Sequence, residues 1–353
     1  MPDLITLPKG MALEEVLRDY FLKTGAYVVR GVPFVYESDD VTDIDLWVYS
    51  RASSFSREIT IVDIKNKKVP HALERIFWVN GLKQATYSNK AIIATTDSRP
   101  LIKVFAKKQD VMVLDGKFLS KLVRNQTINE ERLFEEQLFS LIDSYELQKI
   151  DGDWKNRMKY SKSILSKPIN FDSCNSWLSE AKFFAELVLT RERERNTALR
   201  CLYLICSYLA LGIDFCMREI SFLETHERIE KLKEGFLFGD RGLNGTNDLI
   251  KFSMNMVSQY VEGGDIHARL LKQRFDNEVS NLPVNILAEY FAKTENINHM
   301  FQVAKSLEQM AMQSKAPNLP ESFDIKGYLY CLLDYWQISR QEFSAVLNLK
   351  LDQ

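Results

Sequence analysis

Several things are scarce or missing in this chain, and each absence removes a class of function. Its five cysteines, Cys174, Cys201, Cys206, Cys216 and Cys331, are odd in number, avoid the first third of the sequence and include no Cys-x-x-Cys pair. That spacing argues against a disulfide framework and against a thiolate zinc site, and it fits a reducing cytoplasm. The four histidines, His71, His226, His267 and His299, are scattered and form no ligand pair at helical spacing, so no chemistry is assigned to them. Met1-Pro2-Asp3-Leu4 has no basic region followed by an apolar core, so no signal peptide is expected. The longest uncharged apolar stretch runs from Cys201 to Ile213, short of the roughly 20 residues that span a bilayer; it reads as a buried helix, with no membrane role. Glycines at 235, 239, 242 and 245 suggest a loop around Asp240-Arg241, but no Lys-Ser or Lys-Thr pair makes it a phosphate-binding loop. No internal repeat or low-complexity tract stands out.

What remains is an ordinary globular composition, 46% hydrophobic over 353 residues, enough for two or three cores. Net charge is -2, but its distribution is uneven. Residues 1–124 hold 19 Lys+Arg against 15 Asp+Glu, a net of +4, and the remaining 229 residues hold 27 against 33, a net of -6.

The patterns divide the chain. Residues 12–23 place Leu13, Val16, Leu17, Tyr20 and Phe21 on one helical stripe, and Gly25 follows as a stop. Tyr27–Val29, Ile44–Tyr49 and Ile59–Ile64 are β-rich, Pro70–Tyr87 reads as a helix, Ala91–Thr95 as a buried strand, Pro100–Lys108 as a helix and Val111–Leu114 as a last strand. Strand and helix thus alternate from 59 to 114, which predicts an α/β domain with a partly parallel sheet flanked by helices. Segments 130–149, 174–211, 213–234, 247–261, 284–312 and 324–349 have helical spacing, which predicts a C-terminal all-α domain. The expected division is 1–125 for the α/β domain, 126–168 for a helix and basic linker, and 169–353 for the helical domain.

Three short segments carry the chemistry: Leu13-Glu14-Glu15, Thr42-Asp43-Ile44-Asp45-Leu46 and Val62-Asp63-Ile64-Lys65. Asp63 and Lys65 are two apart, so on a strand they leave from one face. Asp45 shares a strand face with Trp47 and Tyr49, where a carboxylate is disfavoured unless something binds it. Asp43 reads as a turn acid before the strand, alongside Glu37, Asp39 and Asp40. On the first helix Glu14 lies about 90° from the centre of the apolar stripe and Glu15 about 170°, so Glu14 can look toward the sheet while Glu15 faces solvent. Two or three carboxylates hold a hard cation such as Mg²⁺, with Mn²⁺ as a substitute, and leave positions for water and a phosphate oxygen. A lysine beside them can orient or deprotonate the attacking water. The plain alternative is an exposed Asp–Lys pair that contributes little.

The order Glu14, Asp45, Asp63-x-Lys65 resembles the PD-(D/E)XK, or restriction-endonuclease-like, nucleases. Ala91-Ile-Ile-Ala-Thr-Thr-Asp-Ser-Arg-Pro followed by Val111-Met-Val-Leu-Asp-Gly-Lys-Phe-Leu resembles the Mrr-type catalytic domain, in which a Thr-Thr turn, a helix and a final strand ending in Asp-Gly recur. The likeness covers residues 10–124. It implies a Mg²⁺-dependent endonuclease acting on DNA, in restriction or phage defence, with Asp45, Asp63 and Glu14 as metal ligands, Lys65 as the catalytic cation and Gln84 as a helix residue steadying a ligand or phosphate. The chain departs from the family pattern in having Thr42-Asp43-Ile44 where a glycine is common beside the strand aspartate, and Asp63 where a longer acid or amide is common. Lys67, Lys68, Arg75 and Lys83 are candidate phosphate contacts, their plain alternative being solvated cations. Trp154–Lys162 interleaves cations with aromatics and reads as a flexible basic linker or a nucleic-acid clamp. Arg191-Glu192-Arg193-Glu194-Arg195 reads as a solvated helix face. A junction-resolving or repair nuclease and a catalytically silent nucleic-acid or protein interaction module are the alternatives, and cutting both strands of a duplex with one site per chain favours a homodimer.

Overall fold

In a computed structural model, which describes residues 9–37, 39–65, 71–124 and 131–348, the chain divides into two compact units, Met1–Pro168 and Ile169–Gln353. The first is built on a five-stranded mixed sheet in the order β1-β2-β3-β4-β5. Helix α1 (Lys9–Lys23) leads into β1 (Tyr27–Tyr36), β2 (Asp39–Arg51) and β3 (Arg57–Lys65), which pair antiparallel. Helix α2 (Ala72–Ala85) then crosses over to β4 (Lys90–Thr95), and α3 (Pro100–Lys108) to β5 (Val111–Leu114), both strands parallel to β3. The expected alternation from 59 to 114 is therefore the parallel half of the sheet, as helical crossovers require.

Period-two patterning assigns the faces. Leu46, Val48, Val62, Ile64, Ile92 and Ala94 form one buried face, closed by Leu13 and Leu17 of α1 and Leu119 of α4 (Gly116–Arg124). The opposite face carries Trp47, Tyr49, Ile59, Ile61 and Ile93, all buried. Asp63 belongs to that second face by alternation, and α2 reaches it there.

The turn after β4 and the end of β5 are held by side-chain caps. Thr95 Oγ1 accepts the Asp97 amide at 3.2 Å, and Asp97 accepts the Arg99 amide at 3.0 Å. Asp115 accepts the Phe118 amide at 2.9 Å and pairs with Lys103 at 2.6 Å, which together hold its carboxyl below the ordinary range, the lysine contributing most. At Gly116 a Cβ would stand 2.5 Å from the Thr96 carbonyl oxygen, so the Asp-Gly pair caps α4 and lets two backbone segments touch.

Residues 131–168 belong to the first unit and are not a flexible linker. Helix α5 (Glu135–Ser144) and helix α6 (Trp154–Ser163) are ordered, Trp154 is fully buried, and Ser166 Oγ donates to the Pro33 carbonyl of β1 at 2.9 Å. Pro33, which cannot donate to a ladder, is tolerated because β1 is the sheet's terminal strand.

The second unit is helical throughout its described residues. The expected segment 174–211 is two helices, α7 (Phe171–Thr190) and α8 (Arg195–Cys216), because the Arg191–Arg195 run forms their connection; Arg195 is buried and donates from Nε to the Val188 carbonyl at 3.1 Å, so it is no solvated face. Helix α9 (Thr225–Phe238) contains Gly235, and α10 (Gly242–Tyr260) contains Gly242 and Gly245, which leaves only a short turn where a glycine loop was expected. Helices α11 (Gly264–Asn281), α12 (Val284–Phe291), α13 (Thr294–Met312), α14 (Phe323–Tyr335) and α15 (Arg340–Asn348) complete it. Of the described helices α8 alone is long and apolar enough to cross a membrane, and 83% of its most apolar window is buried, as in a core helix. Arg200 of α8 caps the end of α13, donating to the carbonyls of Ala311, Gln313 and Lys315 at 2.6 to 2.8 Å. All five cysteines are free.

Because the Thr96 carbonyl cannot retreat far, Gly116→Ala is expected to lower the unfolding free energy by about 1–3 kcal/mol, the usual range for overpacking. Urea denaturation followed by circular dichroism checks this; an unchanged midpoint would show that the α4 start relaxes freely.

Candidate active site

The site sits where the sheet divides. Pairing of β2 with β3 stops at Leu46–Val62, yet β2 stays paired with β1 as far as Tyr36–Asp39 and β3 stays paired with β4 as far as Lys65–Thr95. Beyond Val62 the two halves of the sheet have no ladder between them, and freed backbone groups need other partners. Asp45 supplies one: its Oδ2 accepts the Ile64 amide at 2.5 Å. The strand aspartate thus stands across the gap against the Asp63–Lys65 segment.

Asp63 is 6% exposed and lies between two cations. Arg75, from the first turns of α2, holds it through two nitrogens, Nε to Oδ2 at 2.9 Å and Nη2 to Oδ1; Lys65 Nζ stands 3.7 Å from Oδ1. The spacing of two between Asp63 and Lys65 does bring both to one place. Glu14 comes to the same gap from α1. It is anchored by Arg30 Nη1 at 3.4 Å, and its carboxylate feels the charge of Asp45.

These acids are held in an environment that disfavours their charge. Burial, then the neighbouring Asp45, pushes Glu14 from an ordinary 4.5 to about 7, with Arg30 opposing. Burial pushes Asp45 from 3.8 to about 6; the Ile64 amide opposes the shift, and Asp63 adds to it. Adjacent half-buried carboxylates of raised pKa are the condition that a divalent cation relieves, and all their donors are oxygens. As placed, though, no group of three His, Cys, Asp or Glu side chains among the described residues stands at metal-binding spacing. Asp63 is turned into Arg75, and Asp45 into the backbone of β3.

A polar network supports Glu14, and the sequence patterns gave no hint of it. Arg30 of β1 is 6% exposed and pairs with Glu15 at 3.0 Å and Glu136 of α5 at 2.5 Å as well as with Glu14. Glu15, expected in solvent, instead bonds Arg30 and also Arg18, the latter at 2.6 Å. The wheel placed Glu15 opposite the apolar stripe, but a buried arginine on each side gives it partners there. Lys162 of α6 is buried and bonds Glu135, whose neighbour is Glu136.

Other expected residues lie elsewhere. Gln84 is exposed near the C-terminal end of α2, nine residues beyond Arg75 and so roughly 13 Å along the helix. Since α2 begins near the Asp63 end of β3 and runs back along it, its last turn meets the opposite end, where Asn89 Oδ1 accepts the Ile59 amide. Lys83 shares that distant end and pairs with Asp110 at 3.0 Å. Arg75 is at the site, bound to Asp63 rather than free for phosphate. Lys67 and Lys68 lie outside the described residues. Asp43 is exposed and paired in register with Pro33, apart from the cluster. Trp154–Lys162 falls on α6, where Lys155 pairs with Asp143 at 2.6 Å and Lys162 is buried, so two of its cations are committed inside the unit.

No family model matches the chain, and no curated protein and no solved structure matches it.

The raised acids set a pH dependence. A carboxyl whose folded pKa exceeds its unfolded value contributes stability that is complete below the unfolded value and is lost as pH rises through the folded one. In metal-free buffer the protein is therefore expected to lose stability between about pH 4 and pH 7, from Glu14 and Asp45 together. Asp45→Asn keeps an acceptor for the Ile64 amide and removes the charge, so it should flatten that slope and raise the melting temperature at pH 8. A steeper slope in the variant would contradict the assignment.

Proposed function

We propose that the first unit is a Mg²⁺-dependent nuclease domain of restriction-endonuclease-like fold, PD-(D/E)XK in type and most similar to Mrr-type catalytic domains, hydrolysing phosphodiester bonds in DNA. One observation carries this reading: Asp45, Asp63 and Lys65 converge on the gap where β2 and β3 part, with Glu14 close enough to Asp45 for their charges to couple. An isolated ion pair needs no such crowding of acids, and burying several like charges is costly unless they serve a ligand.

In this reading Asp45 and Asp63 hold the cation, and Glu14 completes the set directly or through water. A divalent cation held there would supply Lewis-acid polarisation of the phosphate and a water of lowered pKa. Lys65, 29% exposed at its side chain and 3.7 Å from Asp63, is placed to orient that water and to offset charge developing on the phosphoryl oxygens. Arg30 holds Glu14 in position, with its own place set by Glu136. A role in restriction or phage defence rests on the family likeness alone.

A second reading has one specific observation behind it. Arg75 engages both oxygens of Asp63, so the same pair can be a permanent structural lock in a nuclease-like module without catalysis. In the first reading a cation competes with that guanidinium for the same oxygens; in the second it does not bind.

Purified protein is expected to cut plasmid or oligonucleotide DNA with Mg²⁺ or Mn²⁺ and not with EDTA. Asp63→Asn and Lys65→Ala should each lower the rate by roughly 10²-fold or more, the range for removing a positioned acid–base group, while circular dichroism shows both still folded. Folded variants that cut at the wild-type rate would overturn the site.

A further inference from the structure

Trp78 stands apart from the other tryptophans. Trp47, Trp154, Trp177 and Trp336 are buried, whereas Trp78 is 43% exposed. It lies on α2 three residues after Arg75, on the same side of the helix one turn on, and the Arg75 guanidinium sits 5.4 Å from its ring centroid. Arg75 in turn bonds Asp63. The exposed indole is therefore linked through one side chain to the acid cluster.

Phe77, the preceding residue, is 60% exposed and is held edge-on against Phe105 of α3 with ring centroids 5.3 Å apart. Glu74, the acid on this turn, is directed to His71 at 3.4 Å, and Lys65 adds a second cation by Asp63. Solvent-exposed aromatics bordered by cations are what single-stranded nucleic acid uses: each base has a π-face, and the backbone follows the positive charge. In an intact duplex those π-faces are covered by neighbouring bases.

We propose that Trp78, with Phe77 beside it, is a stacking platform for an unpaired base of DNA whose backbone passes the Asp45–Asp63 gap, so the preferred substrate carries a single-stranded segment at the site. This rests on the phosphodiester reading above for what happens at the gap, but the stacking itself needs neither metal nor cleavage. The surface borders the gap that the phosphodiester reading assigns to DNA, with Arg75 and Lys65, each paired to Asp63, on the border between them, and that continuity favours nucleic acid as the occupant.

The test is binding in EDTA with the full chain. Because the other four tryptophans are buried, quenching of the solvent-exposed emission by a short oligothymidylate reports on Trp78. Single strand is expected to quench it, and a duplex of equal length to quench it far less. Trp78→Leu should abolish the quenching and weaken single-strand binding, measured by anisotropy of a labelled oligonucleotide, by about fivefold or more, as expected for one base–aromatic stack. Trp78→Phe should retain most of the affinity.

Unchanged single-strand binding in a folded Trp78→Leu variant overturns the proposal, as does equal weakening for single strand and duplex. A changed sedimentation coefficient with unchanged nucleic-acid binding also overturns it and assigns the surface to a second copy of the chain. The two readings fail separately. Trp78-dependent single-strand binding without any metal-dependent cleavage supports the platform and removes the nuclease, whereas cleavage with no single-strand preference and no response to Trp78→Leu removes the platform alone.

Discussion

The β2–β3 ladder ends at Leu46–Val62, and the polar architecture of the first unit follows from that ending. Strands that part inside a sheet expose backbone donors and acceptors in a half-buried place, where each unpaired group costs a desolvation penalty. Asp45 meets one of them by taking the Ile64 amide, and in doing so it brings its own charge into the same confined place. Asp63 follows in register, and its charge is met by Arg75 and Lys65. The gap thus collects acids because the backbone needs acceptors and because the strand alternation delivers Asp63 there. Cations are then required, and they come from the end of β3 and from α2.

The same constraint explains the layer beneath. Burial and the charge of Asp45 both disfavour the Glu14 carboxylate, so it cannot remain there as an unattended anion. Arg30 answers Glu14 and Glu15, and a buried arginine is itself costly without full satisfaction. Glu136 completes it from α5, across 106 residues of sequence. That contact gives residues 131–168 a structural reason to be part of the first unit, in addition to the buried Trp154 and the Ser166–Pro33 bond on the terminal strand. In this arrangement removing one charge leaves others uncompensated, so substitutions in the network should couple rather than add.

How much of this the sequence disclosed depends on how local each signal was. Asp63 and Lys65 were legible because a spacing of two on a strand of branched aliphatics fixes their common face. Asp45 was legible as a carboxylate among strand formers, and the strand–helix alternation after residue 59 foretold the parallel half of the sheet. Glu15 was misplaced because a helical wheel knows the apolar stripe but not the arginines on either side. Gln84 was misplaced because a helix moves about 1.5 Å per residue, so nine residues past Arg75 lie at the far end of the sheet. Arg30, Glu136 and Lys162 carried no local signal: a single charge in a strand, a helix start and a basic stretch look ordinary until the fold brings them together. The Arg191–Arg195 run misled in the opposite way, since its alternating charge suited a solvated helix and in the structure it ends one helix and buries Arg195 at the start of the next.

The central claim is that Glu14, Asp45 and Asp63 are crowded to receive a divalent cation, and thermal unfolding at pH 8 with and without Mg²⁺ tests it most directly. A ligand that binds only the folded state stabilises it, by about 2.7 kcal/mol at a hundredfold excess over its dissociation constant. Wild-type protein is predicted to gain melting temperature with Mg²⁺, and Asp45→Asn to gain little despite being folded. No response in the wild type, or an equal response in the variant, would contradict the claim and leave Arg75 as the permanent partner of Asp63.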